Sequence, residues 1–254
     1  MEVVPCQRFD EVFKSLAEKR VDAAVIPIEN TLHGSVHENY DHLLHFGLPI
    51  VGETSVRIVH NLIAPPGVPF RSIKRVFSHP VAINQCLDFF AANPQVERVP
   101  FYDTAGSVKM VMEENLRDAA GIASSLAAKL YGGRILKRSI EDDRENHTRF
   151  FLLRNSDPAR EFRAKNDAKG WKTSIVFTTR NVPGALFRAL SAFALRDINL
   201  AKIESRPLRG KPWEYLFYMD LIAQIEDPNL QNAMRHLQEL TDLFQVLGCY
   251  RRGQ

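Results

Sequence analysis

The 254-residue chain carries 33 Lys plus Arg against 30 Asp plus Glu, a formal charge of +3, with 45% apolar and 9% aromatic residues. That is enough apolar material for two or three packed units, and since neither sign of charge is gathered in a block, a nucleic-acid arm and a membrane-binding patch give way to a small anionic ligand. Three scattered cysteines, Cys6, Cys86 and Cys249, form no CxxC pair and point to a reducing compartment, and no apolar run reaches the roughly 20 residues of a bilayer span.

From the start, MEVVPCQRFDEVF has neither the basic nor the apolar region of a secretory signal, so a cytoplasmic location is the expectation. Phe9, Val12, Phe13 and Leu16 fall at helical spacing, and Asp22 to Ile28 (DAAVIPI) reads as a buried strand. VGETSVRIVHNLIA then reads as extended strands, PVAINQCLDFFAA as a helix and VERVPFY as a strand. AGSVKMVMEEN reads as a helix, and DAAGIAS as a strand leading into the helical SLAAKLYG. This alternation predicts an α/β domain of two lobes with largely parallel sheets and a cleft between them, over residues 1–154. The polar stretch 155–170 reads as a linker. Beyond it, KTSIVFTT, PGALFRALSAFALRD, INLAKIESRPL, EYLFYMDLIAQI, NLQNAMRHLQELTDLF and FQVLGCYR read as β-α-β-β-α-β, with EYLFYMDLIAQI half-exposed. That order predicts an α+β, split-βαβ domain over 171–254, of a kind used for ligand binding or association.

Three motifs carry chemistry. In PIENTLHGSVHENYD, Glu29 and Asn30 follow directly on a buried strand, where α/β sheets place ligands; Asn30 or Ser35 serving as a helix cap is the plainer alternative. In FSHPVAINQC, a strand ends at Phe77 and Ser78 and Pro80 open a helix that later carries Gln85. Capping explains Ser78, yet such a helix start also suits a carboxylate. In EDDRENHTRFFLL, Thr148 offers a hydroxyl donor and Arg149 a bidentate partner for a carboxylate as an apolar strand begins. His147 and the acidic run Glu141 to Asp143 lack regular ligand spacing, so no metal site is expected.

Together, in this order, DAAVIPIENTLHGS, SHPVAINQC and NHTRF resemble the active-site segments of the prephenate and arogenate dehydratase family, over almost the whole chain. The resemblance implies a dehydratase lobe pair related to periplasmic binding proteins. It also implies loss of carbon dioxide and hydroxide from a cyclohexadienyl ring, giving phenylpyruvate from prephenate or phenylalanine from arogenate without a cofactor. It assigns Thr148 as hydrogen-bond donor to the leaving hydroxyl, with Glu29, Asn30, Ser78 and Gln85 arranging substrate and Arg149 supporting a carboxylate. GALFRAL (Gly184 to Leu190) and IESRP (Ile203 to Pro207) resemble the signatures of the phenylalanine-sensing ACT domain. They imply effector contacts at Gly184, Ala185, Leu186, Asn199, Glu204, Ser205, Arg206 and Pro207, between paired domains of a homodimer or homotetramer.

The family's opening segment of the type YxGxxGxxS is absent, so the chain begins part-way into the first lobe of that pattern, and Val81 stands where relatives often carry Gln. Two other functions stay open: a catalytically impaired, phenylalanine-binding regulatory protein, and a module that closes on a small anionic solute. Prephenate and arogenate are not told apart by these residues. The segment FALRDINLAKIESRP looks plant-like, in which case the plastid stroma is the compartment.

Overall fold

The computed structural model describes residues 2–155, 170–208, 210–211 and 213–253, so all but the two end residues of the expected linker 155–170 lie outside the described residues. The chain forms two compact units, Met1–Val56 with Thr148–Gln254, and Arg57–His147. No helix among the described residues is long and apolar enough to cross a membrane.

The first unit opens with α1 (Phe9–Ala17), β1 (Ala23–Asn30), β2 (Gly34–Ser35), α2 (His37–Phe46) and β3 (Ile50–Arg57). Helix α1 forms because Phe13 and Leu16 share one stripe and are fully buried, while Asp10 and Glu11 favour its N-terminal dipole. Strand β1 buries Ala24, Ile26 and Ile28 by alternation. The second unit follows: β4 (Asn61–Ala64), β5 (Arg75–Ser78), α3 (Pro80–Asn84), α4 (Leu87–Ala91), β6 (Glu97–Pro100), α5 (Thr104–Glu113), β7 (Ala119–Ala123), α6 (Ser125–Tyr131) and β8 (Arg134–Lys137). Its sheet, in the order β6-β5-β7-β4-β8, packs around Leu62, Val76, Phe90 and Ile122.

The single helix expected over PVAINQCLDFFAA is broken at Gln85 and Cys86. The Asp142 carboxylate accepts from the N–H groups of Leu87 (2.7 Å) and Asp88 (3.0 Å), and the Gln85 carbonyl accepts from Asp142 N at 2.8 Å. A residue more than fifty positions away thus starts a second helix. The class is α/β, with mixed strand directions. Strand β5 runs parallel to β6 and β7, and β13 to β3, while β4 runs antiparallel to β7 and β8.

The chain returns to the first unit along β9 (His147–Arg154), antiparallel to β1, and continues as β10 (Trp171–Thr179), α7 (Ala185–Ala194), β11 (Leu200–Pro207), β12 (Tyr215–Leu221), α8 (Pro228–Leu240) and β13 (Phe244–Arg251). The last six elements have the predicted split-βαβ order, but their sheet does not stop there. Eight strands run β11-β12-β10-β13-β3-β9-β1-β2. In consequence β12, expected to be half-exposed, is buried along all but its first residue. Phe217, Met219 and Leu221 enter a core with Phe193, Leu230 and Leu237 of α7 and α8. Leu216 and Tyr218 enter another with Ile26, Tyr40 and Leu43, where the Tyr218 hydroxyl donates to the Tyr40 carbonyl at 3.0 Å.

The seam of this sheet is the parallel contact of Gly248 with Ile50. A Cβ at position 248 would lie 2.3 Å from the Ile50 carbonyl oxygen and 2.7 Å from its Cβ, so backbone would have to move. Gly248→Ala is expected to destabilise the protein by about 1–3 kcal/mol, read as a lowered urea midpoint at unchanged slope; an unchanged midpoint would mean the seam yields freely.

Candidate active site

Strand β1 carries a bulge between Pro27 and Glu29: Pro27 faces Phe150, but Glu29 faces Arg149 and Asn30 faces Thr148. Proline brings no N–H to a ladder, and the register slips there by one residue. Without that slip Glu29 would stand across from Thr148. With it, Asn30 Nδ2 donates to Thr148 Oγ1 at 3.0 Å, joining residues 118 positions apart. The amide orientation is fixed from its other end, since Asn30 Oδ1 accepts from the N–H groups of Leu32 (3.0 Å) and His33 (3.1 Å). The same side chain therefore serves the turn and the site. Because Thr148 Oγ1 is the acceptor in this bond, the hydroxyl proton points to another partner, and the bond from Asn30 strengthens it as a donor.

Beside this pair lies a buried charge cluster. Arg149 approaches Glu53 Oε2 at 2.6 Å and Asp220 Oδ2 at 2.7 Å, and Lys172 Nζ donates to Glu53 Oε1 at 2.7 Å. The Glu53, Lys172 and Asp220 side chains are 5–7% exposed and that of Arg149 is 16% exposed, so water screens these pairs little. Ser174 Oγ donates to Asp220 Oδ1 at 2.5 Å and lies 2.7 Å from the Tyr250 hydroxyl. Burial works to lower the Arg149 pKa, yet the charges of Asp220 and Glu53 carry it above the usual arginine value. The guanidinium expected to hold a substrate carboxylate thus faces carboxylates of its own chain, including Glu29 at 3.7 Å. Sequence reasoning missed Glu53, Lys172, Asp220 and Tyr250, which come from four separate strands. The available signal was a charge inside an apolar strand, as in YLFYMDLIA, which needs a partner.

On its other side, Glu29 Oε1 accepts from Lys202 Nζ at 2.7 Å. Ser35, one of the alternative caps, instead donates to Glu204 Oε2 at 2.7 Å.

In the second unit, Ser78 is fully buried and donates to the Ile122 carbonyl at 2.8 Å. It does not cap the helix; His79 does, accepting from Val81 N. Gln85 sits at the break between α3 and α4, its Oε1 2.7 Å from His60 Nε2.

The expected effector residues divide between two faces. Gly184, Ala185 and Leu186 line a cavity of about 250 Å³ with Val182, Trp213 and Tyr215. Gly184 caps α7 with φ +76° and no side chain to bond the helix start, where the Ala185 N–H donates to the Val182 carbonyl at 3.1 Å. Ser205 and Pro207 stand opposite Phe217 and Tyr215, which also line the cavity, so they share its face. Glu204 and Arg206 point the other way, Arg206 to Asp41 at 3.1 Å. Asn199 is exposed and its carbonyl accepts from Ile222 N.

The prephenate dehydratase family model matches residues 1–158, and that of the ACT domain matches residues 173–238. The chain belongs to the prephenate dehydratase family. It is 46% identical over 98% of its length to arogenate dehydratase/prephenate dehydratase 2, chloroplastic, of Arabidopsis thaliana, covering 66% of that protein. With arogenate dehydratase 2 of Petunia hybrida it shares 44% identity, covering 98% of this chain and 65% of the other. The chain thus spans just under two-thirds of these relatives. Among solved structures, prephenate dehydratase of Arthrobacter aurescens in complex with L-Phe superposes with a TM-score of 0.86 at 30% identity, over 98% of this chain and 81% of that one. A protein described as a novel type of quorum quenching acylase superposes with a TM-score of 0.88 at 32% identity, over 98% and 89%.

Removing Glu53 takes the carboxylate from buried Lys172 and one of two close carboxylates from Arg149. Glu53→Ala is expected to cost about 3–5 kcal/mol of unfolding free energy, measured by urea denaturation, and Glu53→Gln less. A loss under about 1 kcal/mol would show the cluster to be accessible to water.

Proposed function

We propose that the protein is a dehydratase that converts prephenate to phenylpyruvate, or arogenate to phenylalanine, under control by phenylalanine. The observation that carries this reading is the Asn30–Thr148 pair, built by a bulge and held from both sides. The ring carboxylate leaves as carbon dioxide, its bonding electrons enter the ring, and hydroxide departs from the opposite ring carbon, gaining a proton to become water. Aromatisation drives this. What the protein must supply is a donor at the departing oxygen and a fixed substrate conformer. Thr148 takes the first role and Asn30 aligns it, with Glu29, Ser78 and Gln85 arranging substrate; Arg149 braces Glu29 and the strand carrying Thr148. The chemistry asks for no cofactor or metal. An impaired regulatory protein would have no use for so constrained a threonine, and no observation favours the solute-binding module.

Along the chain, residues 1–154 take the dehydratase role and 171–254 the sensing role, with 155–170 between them. Phenylalanine fits the cavity at Gly184: its carboxylate lies at the N-terminus of α7, where the helix dipole favours an anion, and its aromatic ring meets Trp213 and Tyr215. Ala185, Leu186, Ser205 and Pro207 complete this face. Phe187 and Leu195, 75% and 79% exposed, supply apolar surface for a second copy, so the effector site lies between paired sensing domains of a dimer or tetramer. The chloroplastic Arabidopsis relatives support the plastid stroma as compartment for a plant protein, and the cytoplasm otherwise.

Turnover is tested with prephenate and arogenate side by side, following phenylpyruvate by absorbance and phenylalanine by chromatography. Thr148→Ala is expected to lower kcat by about 10²–10³-fold, and Thr148→Ser to retain most of it. Full activity in Thr148→Ala, or none in the unaltered protein, would overturn the reading. Phenylalanine is expected to change the fluorescence of Trp213 saturably, a signal absent from Trp213→Phe; an unchanged spectrum would place the effector elsewhere.

A further inference from the structure

Strand β11 faces two ways. Ile203, Ser205 and Pro207 lie on the side of the effector cavity, whereas Lys202, Glu204 and Arg206 are half-buried on the opposite side. All three of these reach the segment that carries Glu29 and Asn30 or follows it. Lys202 Nζ donates to Glu29 Oε1 at 2.7 Å and to Ser35 Oγ at 2.9 Å. Glu204 accepts from Ser35 and lies 3.1 Å from His37, and Arg206 donates to Asp41. The Lys202 side chain is 11% exposed and its ammonium stands 5.8 Å from the Tyr40 ring centre. Burial works to raise the Glu204 pKa, but hydrogen bonds from Ser35 and His37 bring it below the usual value.

We propose that Lys202 is a positioning residue of the dehydratase site: it holds Glu29 beside Asn30 and Thr148, and because it rides on β11 it makes that hold respond to the effector. The proposal rests on the dehydratase reading above. Glu29 has two cations within 4 Å, Lys202 and Arg149. Arg149 is mainly committed to Glu53 and Asp220 and lies 3.7 Å from Glu29, so Lys202, at 2.7 Å, is the stronger hold on the Glu29 carboxylate. The strand residues on either side of Lys202 alternate between the two faces, and a backbone shift forced by ligand at Ser205 and Pro207 moves Lys202 with it. A carboxylate released from Lys202 would turn toward Arg149, away from its place beside Asn30, and this misaligns the transition state more than it weakens ground-state binding.

The test uses the full protein with Lys202→Met, Lys202→Arg, Glu29→Gln and the double variant Lys202→Met/Glu29→Gln. Expected is a fall in kcat of about tenfold for Lys202→Met with KM changed less than about threefold, most of it restored in Lys202→Arg. The double variant should be no worse than Glu29→Gln alone, as for two residues acting as a unit. Phenylalanine should still bind Lys202→Met, by Trp213 fluorescence, while its effect on turnover shrinks toward none. A Lys202→Met protein with unaltered kcat and a full phenylalanine response, even if its melting temperature falls, would overturn the proposal and leave Lys202 a structural tie. So would losses that multiply in the double variant. An unsubstituted protein inactive on both substrates would overturn the dehydratase reading itself, and this role with it.

Discussion

Glu53 shared between Arg149 and Lys172, out of reach of water, is the constraint around which the first unit is built. Each of these ions gives up several kcal/mol of hydration on burial, which only close and complete pairing offsets. The pairing needs β3 for Glu53, β9 for Arg149, β10 for Lys172 and β12 for Asp220, so no one segment satisfies it. It ties strands β10 and β12 to β3 and β9 in one body, and it does so one residue from Thr148. The bare backbone of Gly248 lets β13 come close enough to β3 for the sheet to be continuous there. Small side-chain volume and complementary charge thus meet at the same seam, and the ordering of Thr148 is a by-product of both.

How legible this was depended on the kind of signal. Helix α1 and strand β1 announce themselves because Phe13, Leu16, Ile26 and Ile28 follow a single period into one core. Helix α2 does not, since HENYDHLLHF is mostly polar and histidine-rich and buries little beyond Tyr40 and Leu43. The break at Gln85 is invisible locally because its cause, Asp142, lies far along the chain. For β12 the alternation was misleading: polar and aromatic residues such as Tyr218 and Asp220, which suggest solvent, face a second buried surface instead.

The site divides the same way. Motifs name Asn30, Thr148 and Gly184 because the residue types themselves carry the chemistry. The bulge that brings Asn30 rather than Glu29 opposite Thr148 is a property of strand pairing, and no residue pattern near Pro27 announces its position. The ESRP segment could have been split by simple alternation, two side chains to each face.

The first unit is discontinuous, with Arg57–His147 inserted between its two parts. During synthesis the inserted segment is complete and can pack alone while β1 and β3 still wait for neighbours. Strand β9 then brings Thr148 to Asn30, but Arg149 must wait further, for Asp220 and then for Tyr250, 101 positions beyond it. Contacts of such long sequence separation form slowly. A nascent chain at that stage holds Arg149 against Glu53 and Glu29 only, and its last two partners arrive with strands β12 and β13. The strand that carries Thr148 is therefore fully braced only once both have been made.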